Sequence, residues 1–227
     1  KTGLDKGQLP SYPKKFFCWY AMNTTFPVLA LVLSGPSGVG KSSVCQVLFN
    51  LMPNLHFSVS CTTRAPRPSE IPGRSYHFLS SSDFTAHKKA GDFLEHAQVH
   101  GQCYGTLASE VRPYLEKQQD VILDIDVQGA RQVWKNVRGT DLERRFISVF
   151  LLPPSLEVLE QRLRGRCSES EEQIRQRLAR GREEMNYWRE YDYVLINNDR
   201  HESARQLQAI FEAARCRCDI QSEDFYV

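Results

Sequence analysis

The stretch Leu31-Val32-Leu33-Ser34-Gly35-Pro36-Ser37-Gly38-Val39-Gly40-Lys41-Ser42-Ser43 decides the fold. It joins the apolar run 28–33, which reads as a buried strand, to a G-x-x-x-x-G-K-S loop. Val44, Val47, Leu48 and Leu51 then recur at helical spacing. A glycine-rich structural turn needs neither that strand nor that helix, so the context favours a phosphate-binding P-loop. In such a loop Gly35, Gly38 and Gly40 let backbone N–H groups turn toward one point, and the helix N-terminus adds positive dipole. Lys41 reaches terminal phosphates, the Ser42 hydroxyl can ligand Mg²⁺, and Val39 and Ser43 complete the cradle. The expected ligand is a nucleoside triphosphate.

The chain has 227 residues, enough for one sizeable core with a smaller appended lobe. With 29 basic and 27 acidic residues the net charge is +2, so no global field recruits nucleic acid or a membrane surface. No apolar stretch approaches the length of a membrane span. Cys18, Cys45, Cys61, Cys103, Cys167, Cys216 and Cys218 are odd in number and lack the paired spacing of a zinc site. Reduced thiols and a cytoplasmic location are therefore expected. Residues 1–21 hold four lysines, one acid, one serine and no arginine, a poor match to an organelle-targeting segment. They read as a tail outside the fold.

Farther along, Pro53-Asn54 ends the first helix and residues 56–60 read as a strand. Residues 62–74 are rich in Pro and Arg and read as a loop, followed by a mixed insert with strand and helix signals around 76–79, 83–90, 93–99 and 109–117. Val121-Ile122-Leu123-Asp124-Ile125-Asp126 is a second buried strand, apolar at its start and acidic at its end. Carboxylates at the end of a parallel strand face the ligand crevice. A third strand, 146–152, stops at Pro153-Pro154, and a helix over 155–164 places Leu156, Leu159 and Leu163 on one face. Overlapping signals, Ser168-x-x-Glu171 and Ser170-x-x-Gln173, start another helix that carries Ile174, Leu178 and Met185 inward. A last strand over 193–197 and a helix over 202–217 close the chain. Alternating strands and helices predict an α/β fold with a parallel sheet.

Several blocks recur here in one order. The P-loop is followed by Val59-Ser60-x-Thr62-Thr63-Arg64-x-Pro66-Arg67, Gly73-x-x-Tyr76-x-Phe78, Gly91-x-Phe93-Leu94-Glu95 and Tyr104-Gly105-Thr106. Then come Leu123-Asp124-Ile125-Asp126-x-Gln128-Gly129 and Pro153-Pro154-Ser155. Together, over residues 27–213, they resemble the guanylate kinases. The resemblance implies a three-layer P-loop kinase core (27–57, 120–154 and 181–218), a mixed α/β monophosphate-binding lobe (58–119) and a helical lid (155–180). Residues 1–26 and 219–227 then lie outside, as an N-terminal extension and a C-terminal tail. It also implies transfer of the γ-phosphate of MgATP to GMP, with dGMP an open question, by a protein expected to be a monomer.

Arg64 and Arg67, three apart on a proline-stiffened loop, offer two planar guanidinium forks suited to one phosphate. By resemblance they hold the GMP phosphate with Tyr76 and Tyr104, and Arg67 also matches a catalytic arginine. Glu95 sits in an otherwise apolar stretch and needs donors. Guanine supplies two on one edge, N1–H and the N2 amine, while Ser60 and Thr106, which match base-binding positions, can donate to O6. Asp124 and Asp126 alternate on the expected strand and can share a face. Their work is with guanine, with waters of Mg²⁺ alongside Ser42, or with the reacting phosphates, while capping of the segment after Gln128-Gly129 is the structural alternative. Arg162, Arg166 and Arg177 resemble lid arginines, with Lys41, Arg166 and Arg177 at catalytic positions. Asn197 matches a position beside the donor adenine, and Asn198 stands where the family usually has Asp.

A reading from another class is an inactive guanylate-kinase-like module that binds phosphopeptides. Such modules resemble this chain through the Arg-Tyr phosphate site, but they typically lose the P-loop lysine and glycines and the equivalent of Asp126. A P-loop kinase of another monophosphate would need a base pocket other than Ser60, Glu95 and Thr106.

Overall fold

The computed structural model describes residues 27–99, 101–165 and 170–221. The expected extension 1–26, Arg166, Cys167, Ser168 and the end of the tail lie outside these residues. Strands and helices are numbered along the chain. The core sheet contains β1 (Ala30–Ser34), β2 (His56–Phe57), β7 (Val121–Asp124), β8 (Phe146–Leu152) and β9 (Tyr193–Ile196). Its order is β2-β7-β1-β8-β9 with every neighbouring pair parallel.

Because side chains alternate along a strand, the apolar run through β1 feeds two cores at once. Leu29, Leu31 and Leu33 pack with α1 (Lys41–Leu51) and α7 (Arg200–Ala214) through Val44, Leu48, Leu207 and Phe211. Ala30 and Val32 face the other way, onto α4 (Val127–Val137) through Val127, Ala130 and Val133. This gives the three layers expected of the core, and each fully buried leucine contributes on the order of 2 kcal/mol. All parallel β-ends then point at one crevice, where the P-loop follows β1.

The lobe is a second sheet: β3 (Cys61–Thr62), β4 (His77–Phe78), β5 (Phe93–Val99) and β6 (Gln102–Leu107), in the order β4-β3-β6-β5. Helix α2 (Ser81–Ala90) covers it, with Phe84 against Phe93 at 4.5 Å between ring centroids. The return to the core passes through a 3₁₀ turn (Ala108–Glu110) and the short α3 (Arg112–Glu116). Beyond β8, α5 (Leu156–Arg164) and α6 (Glu171–Glu184) form the lid region around Leu159, Leu163 and Ile174. Ser155 caps α5, and Ser170 with Gln173 closes a reciprocal capping box at α6, as the second of the two overlapping signals predicts.

Several expectations are corrected. The strand expected over 56–60 is paired only at His56–Phe57 in the core, and Ser58, Val59 and Ser60 form the irregular hinge to the lobe. Strand β6 has no counterpart in the sequence reading. Met185 lies beyond α6, in a 3₁₀ turn, and α7 starts earlier and stops earlier than expected. Leu51 is 40% exposed rather than part of the apolar face of α1. Asp126 is no strand residue: β7 ends at Asp124, and Asp126 is the N-cap of α4, its Oδ1 accepting from the Gly129 N–H at 2.8 Å.

Candidate active site

The P-loop takes backbone conformations that only its glycines hold without strain: φ is +148° at Gly35, +88° at Gly38 and +104° at Gly40. At Gly40 an added Cβ would also lie 2.6 Å from Asn197 Nδ2. The loop is braced from outside. Val39 O accepts from Asn197 Nδ2 at 2.8 Å and from Arg162 at 2.9 Å, and a second Arg162 nitrogen donates to Asn197 O at 2.9 Å. Asn197 is buried and its Oδ1 accepts from Ser203 Oγ at 3.0 Å, so its side chain spans the P-loop and α7. Asn198 is exposed beside it.

Lys41 opens α1, donates to Gly35 O at 2.8 Å, and stands 3.6 Å from Asp124 Oδ1. Burial pushes the Asp124 carboxyl up, against the pull of Lys41. Ser42 and Ser43 follow on the first turn of α1 and are exposed. One face of α6 looks onto this loop. Arg177 donates to Ser37 Oγ at 3.1 Å, and a Cβ at Gly181 would lie 3.3 Å from Pro36 Cβ. One turn further, Glu184 is half-buried; burial raises its carboxyl, Lys41 opposes that shift and Asp126 adds to it.

On the lobe side, Glu95 is 7% exposed and accepts from Thr106 Oγ1 at 2.7 Å. Thr106 Oγ1 is in turn 3.2 Å from Ser60 Oγ. The Thr106 hydrogen is spent on Glu95, so in that second contact Ser60 donates. Burial raises the Glu95 carboxyl, and the charge of Asp126 adds to the shift. A Cβ at Gly129 would lie 3.1 Å from Glu95 Oε2, so any larger residue there would push that oxygen by a few tenths of an ångström.

The Pro- and Arg-rich loop of the lobe is held by an acid the sequence reading passed over. Glu70 accepts from both terminal nitrogens of Arg64, at 2.9 and 2.8 Å, and from the Arg67 backbone N–H at 2.8 Å. The Glu70 bond raises the Arg64 pKa against burial, and Tyr104 adds to it. Arg64 also lies over the Tyr76 ring, 5.5 Å from its centroid, and the Tyr76 and Tyr104 rings meet edge-on at 6.1 Å. The Arg67 side chain is exposed. Three clusters therefore stand on separate elements: the P-loop with Lys41 and Asp124, the pair Glu95 and Thr106 with Ser60, and Arg64 with Tyr76 and Tyr104. Arg166 lies outside the described residues. Among these residues, no group of three or more His, Cys, Asp or Glu is placed to hold a metal ion by itself.

Glu70, Glu184 and Ser203 are the site-adjacent residues missed by sequence reasoning. Glu70 carried the one available signal, an acid three residues after an arginine in a Pro/Arg loop. Glu184 stands at i+7 from Arg177 on the same helix face.

Residues 29–214 match the family model described as guanylate kinase. A protein named guanylate kinase from Cereibacter sphaeroides is 46% identical over 195 residues, covering 86% of this chain and 90% of that one. One from Clostridium tetani is 44% identical over 191 residues, 84% of this chain and 88% of the relative. The crystal structure of guanylate kinase from Anaplasma phagocytophilum superposes with a TM-score of 0.67 at 31% identity, covering 86% of this chain and 89% of that chain. With the family model spanning nearly all of the described fold, the chain belongs to the guanylate kinase family.

Proposed function

We infer that this chain is an ATP:GMP phosphotransferase, a nucleoside monophosphate kinase in which the P-loop holds ATP and the lobe holds GMP. The observation that carries the assignment of the acceptor base is the buried Glu95 carboxylate with two hydroxyls beside it. An uncompensated buried carboxylate is costly, and guanine offers two donors on one edge. With the Thr106 hydrogen spent on Glu95, Ser60 is the hydroxyl that can turn its hydrogen to guanine O6. Adenine presents the inverse pattern, so the set selects guanine. Arg64, Arg67, Tyr76 and Tyr104 receive the GMP phosphate, with Glu70 keeping the Arg64 fork oriented.

Transfer in this class forms no covalent enzyme intermediate and depends on alignment and charge neutralisation. Lys41 and Arg177, with Arg166, supply positive charge, and lid closure excludes water from the γ-phosphate. Arg162 and Asn197 act on ATP through the loop they brace at Val39. Asp124 holds Lys41 in reach of the phosphates. Mg²⁺ fits the donors present, which are all oxygens: the exposed Ser42 hydroxyl, Asp124, and Asp126, one of whose oxygens is occupied by the cap. Mg²⁺ is ordinarily carried by one or two protein oxygens plus phosphates and waters, so a full protein cage is not required. When bound, it neutralises charge on the donor phosphates.

The relatives, all named guanylate kinase, favour the enzyme over the phosphopeptide module, and Lys41, the P-loop glycines and Asp126 are all retained. Among the described residues no helix is long and apolar enough to cross a membrane, and we propose a cytoplasmic monomer. A coupled assay of ADP formation with each of the four nucleoside monophosphates and MgATP tests the assignment. Turnover with GMP far above the other three is expected, and inactivity with GMP would reinstate the binding-module reading.

A further inference from the structure

The hinge between core and lobe contains a polar cluster that the chemistry above does not use. Glu110, in the 3₁₀ turn where the chain returns from the lobe, has both carboxylate oxygens engaged. Oε2 accepts from the Val59 backbone N–H at 3.0 Å, and Oε1 pairs with His77 Nε2 at 2.9 Å. Val59 lies on the irregular outgoing hinge segment and His77 on β4, so one side chain ties the two hinge crossings to the lobe sheet. His56, the first residue of the core strand β2, completes the cluster. Its ring stacks on Tyr114 of α3 at 3.4 Å, and its Nε2 lies 3.4 Å from Glu110 Oε2, in reach of the charge but without a hydrogen-bond alignment. Burial alone would raise the Glu110 carboxyl, but His56, the Val59 N–H and His77 outweigh it and hold it below the ordinary carboxylate value.

What this cluster brackets is Ser60. Its neighbour Val59 is held through the backbone N–H, and Ser60's own carbonyl accepts from the His77 backbone N–H at 2.9 Å. Glu110 thus fixes the residue before Ser60 and the residue hydrogen-bonded to Ser60. The Ser60 hydroxyl then meets Thr106, 3.2 Å away on β6, and through it Glu95. Ser60 itself belongs to no strand, so regular pairing does not fix its direction. We propose that Glu110 is a positioning residue for GMP recognition, clasping the hinge so that the Ser60 hydroxyl is presented to the base. This rests on the assignment of Ser60 to the guanine pocket. Glu110 acts through Val59 and His77 rather than on the base, and its partners Val59, His77 and His56 all lie outside the P-loop, so its effect is confined to the acceptor side.

The test is a double-mutant cycle between Glu110→Ala and Ser60→Ala, with kcat and separate KM values for GMP and ATP. A buried N–H deprived of its acceptor and a hydroxyl released from its direction predict a rise in KM for GMP of about tenfold in Glu110→Ala. KM for ATP and kcat are expected to stay within about twofold of the parent. Glu110→Gln keeps an acceptor for Val59 and is expected to restore most of the affinity. In the Ser60→Ala background, Glu110→Ala should add little further, because the hydroxyl it positions is gone. Should Glu110→Ala fail to fold, His77→Phe, which keeps an aromatic ring on β4 but removes its hydrogen-bonding nitrogen, carries the same cycle with about a threefold effect. A fully multiplicative cycle, or equal changes in both KM values, overturns the clasp while leaving the base assignment standing. A Ser60→Ala enzyme with unchanged KM for GMP overturns the assignment of Ser60 and the clasp with it.

Discussion

Glu95→Gln separates the two consequences of burying a carboxylate under a base. The residue is 7% exposed, and Thr106 donates to its Oε1 at 2.7 Å. Glutamine is isosteric and its amide oxygen can keep the Thr106 bond, so folding contacts survive. Toward guanine, however, an amide donor replaces an acceptor, which removes one charge-assisted hydrogen bond and leaves a guanine donor facing another donor. Together these cost on the order of 3 kcal/mol, or roughly a hundredfold in kcat/KM for GMP. AMP, which offers no matching donors there, should lose little, so the GMP/AMP ratio collapses by about the same factor. Stability should move the other way. The Glu95 carboxyl is shifted up by burial, with Asp126 adding to it. A carboxyl whose folded pKa lies above its unfolded value destabilises the fold increasingly as pH rises through that interval. Glutamine cannot ionise, so the variant should melt higher than the parent at pH 8, with the difference shrinking toward pH 4. For the same reason kcat/KM for GMP in the parent should show an acid limb above the ordinary carboxylate range, absent in the variant. Coupled assays at several pH values and thermal melts read all of this. An unchanged GMP/AMP ratio refutes the base-reading role of Glu95, and a lower melting temperature at pH 8 refutes the burial argument.

Arg177→Lys, which exchanges a planar fork near Ser37 for a single ammonium, should lower kcat by roughly a hundredfold with KM for GMP little changed, as for a group acting on transition-state charge; a KM effect alone would reject it. Gly40→Ala forces a side chain onto a residue at φ +104° and against Asn197 Nδ2 at 2.6 Å, so it should cost about 1–3 kcal/mol of stability, measured by denaturant unfolding, and raise KM for ATP. Burial pushes the Cys45 and Cys61 thiols up to about 12, so alkylation at pH 8 should modify the exposed Cys216 and Cys218 and reach Cys45 and Cys61 only on unfolding. Peptide mass mapping distinguishes these outcomes.

The parts of this protein that could be read from its sequence are those whose physics is local. The P-loop was legible because glycine at positive φ, a preceding apolar strand and a following helix all lie within about twenty residues. Ser170 and Gln173 were legible as a cap for the same reason, and Glu95 as an acid out of place among Phe93 and Leu94. Strand β6 was not, because Gln102–Leu107 is half exposed, contains Gly105, and is a strand only through pairing with β3 and β5. The Asp124/Asp126 pair shows the boundary most clearly. Strand periodicity put both carboxylates on one face, whereas the Asp126 side chain caps the Gly129 N–H and starts a helix instead, since Asp at an N-cap satisfies donors that a further strand residue would leave open. Asn197 matches a family position beside the donor adenine, but that its buried amide also joins Val39 to Ser203 was not legible, because no spacing rule links positions so far apart. Glu110 is the extreme case, an ordinary surface acid in sequence whose partners Val59 and His77 are brought to it only when the lobe folds back onto the core. The chemistry of phosphate transfer is written in contiguous motifs, while the residues that aim those motifs are distributed. Perturbing the distributed set should therefore change substrate affinity one side at a time, which is the signature that distinguishes positioning from catalysis here.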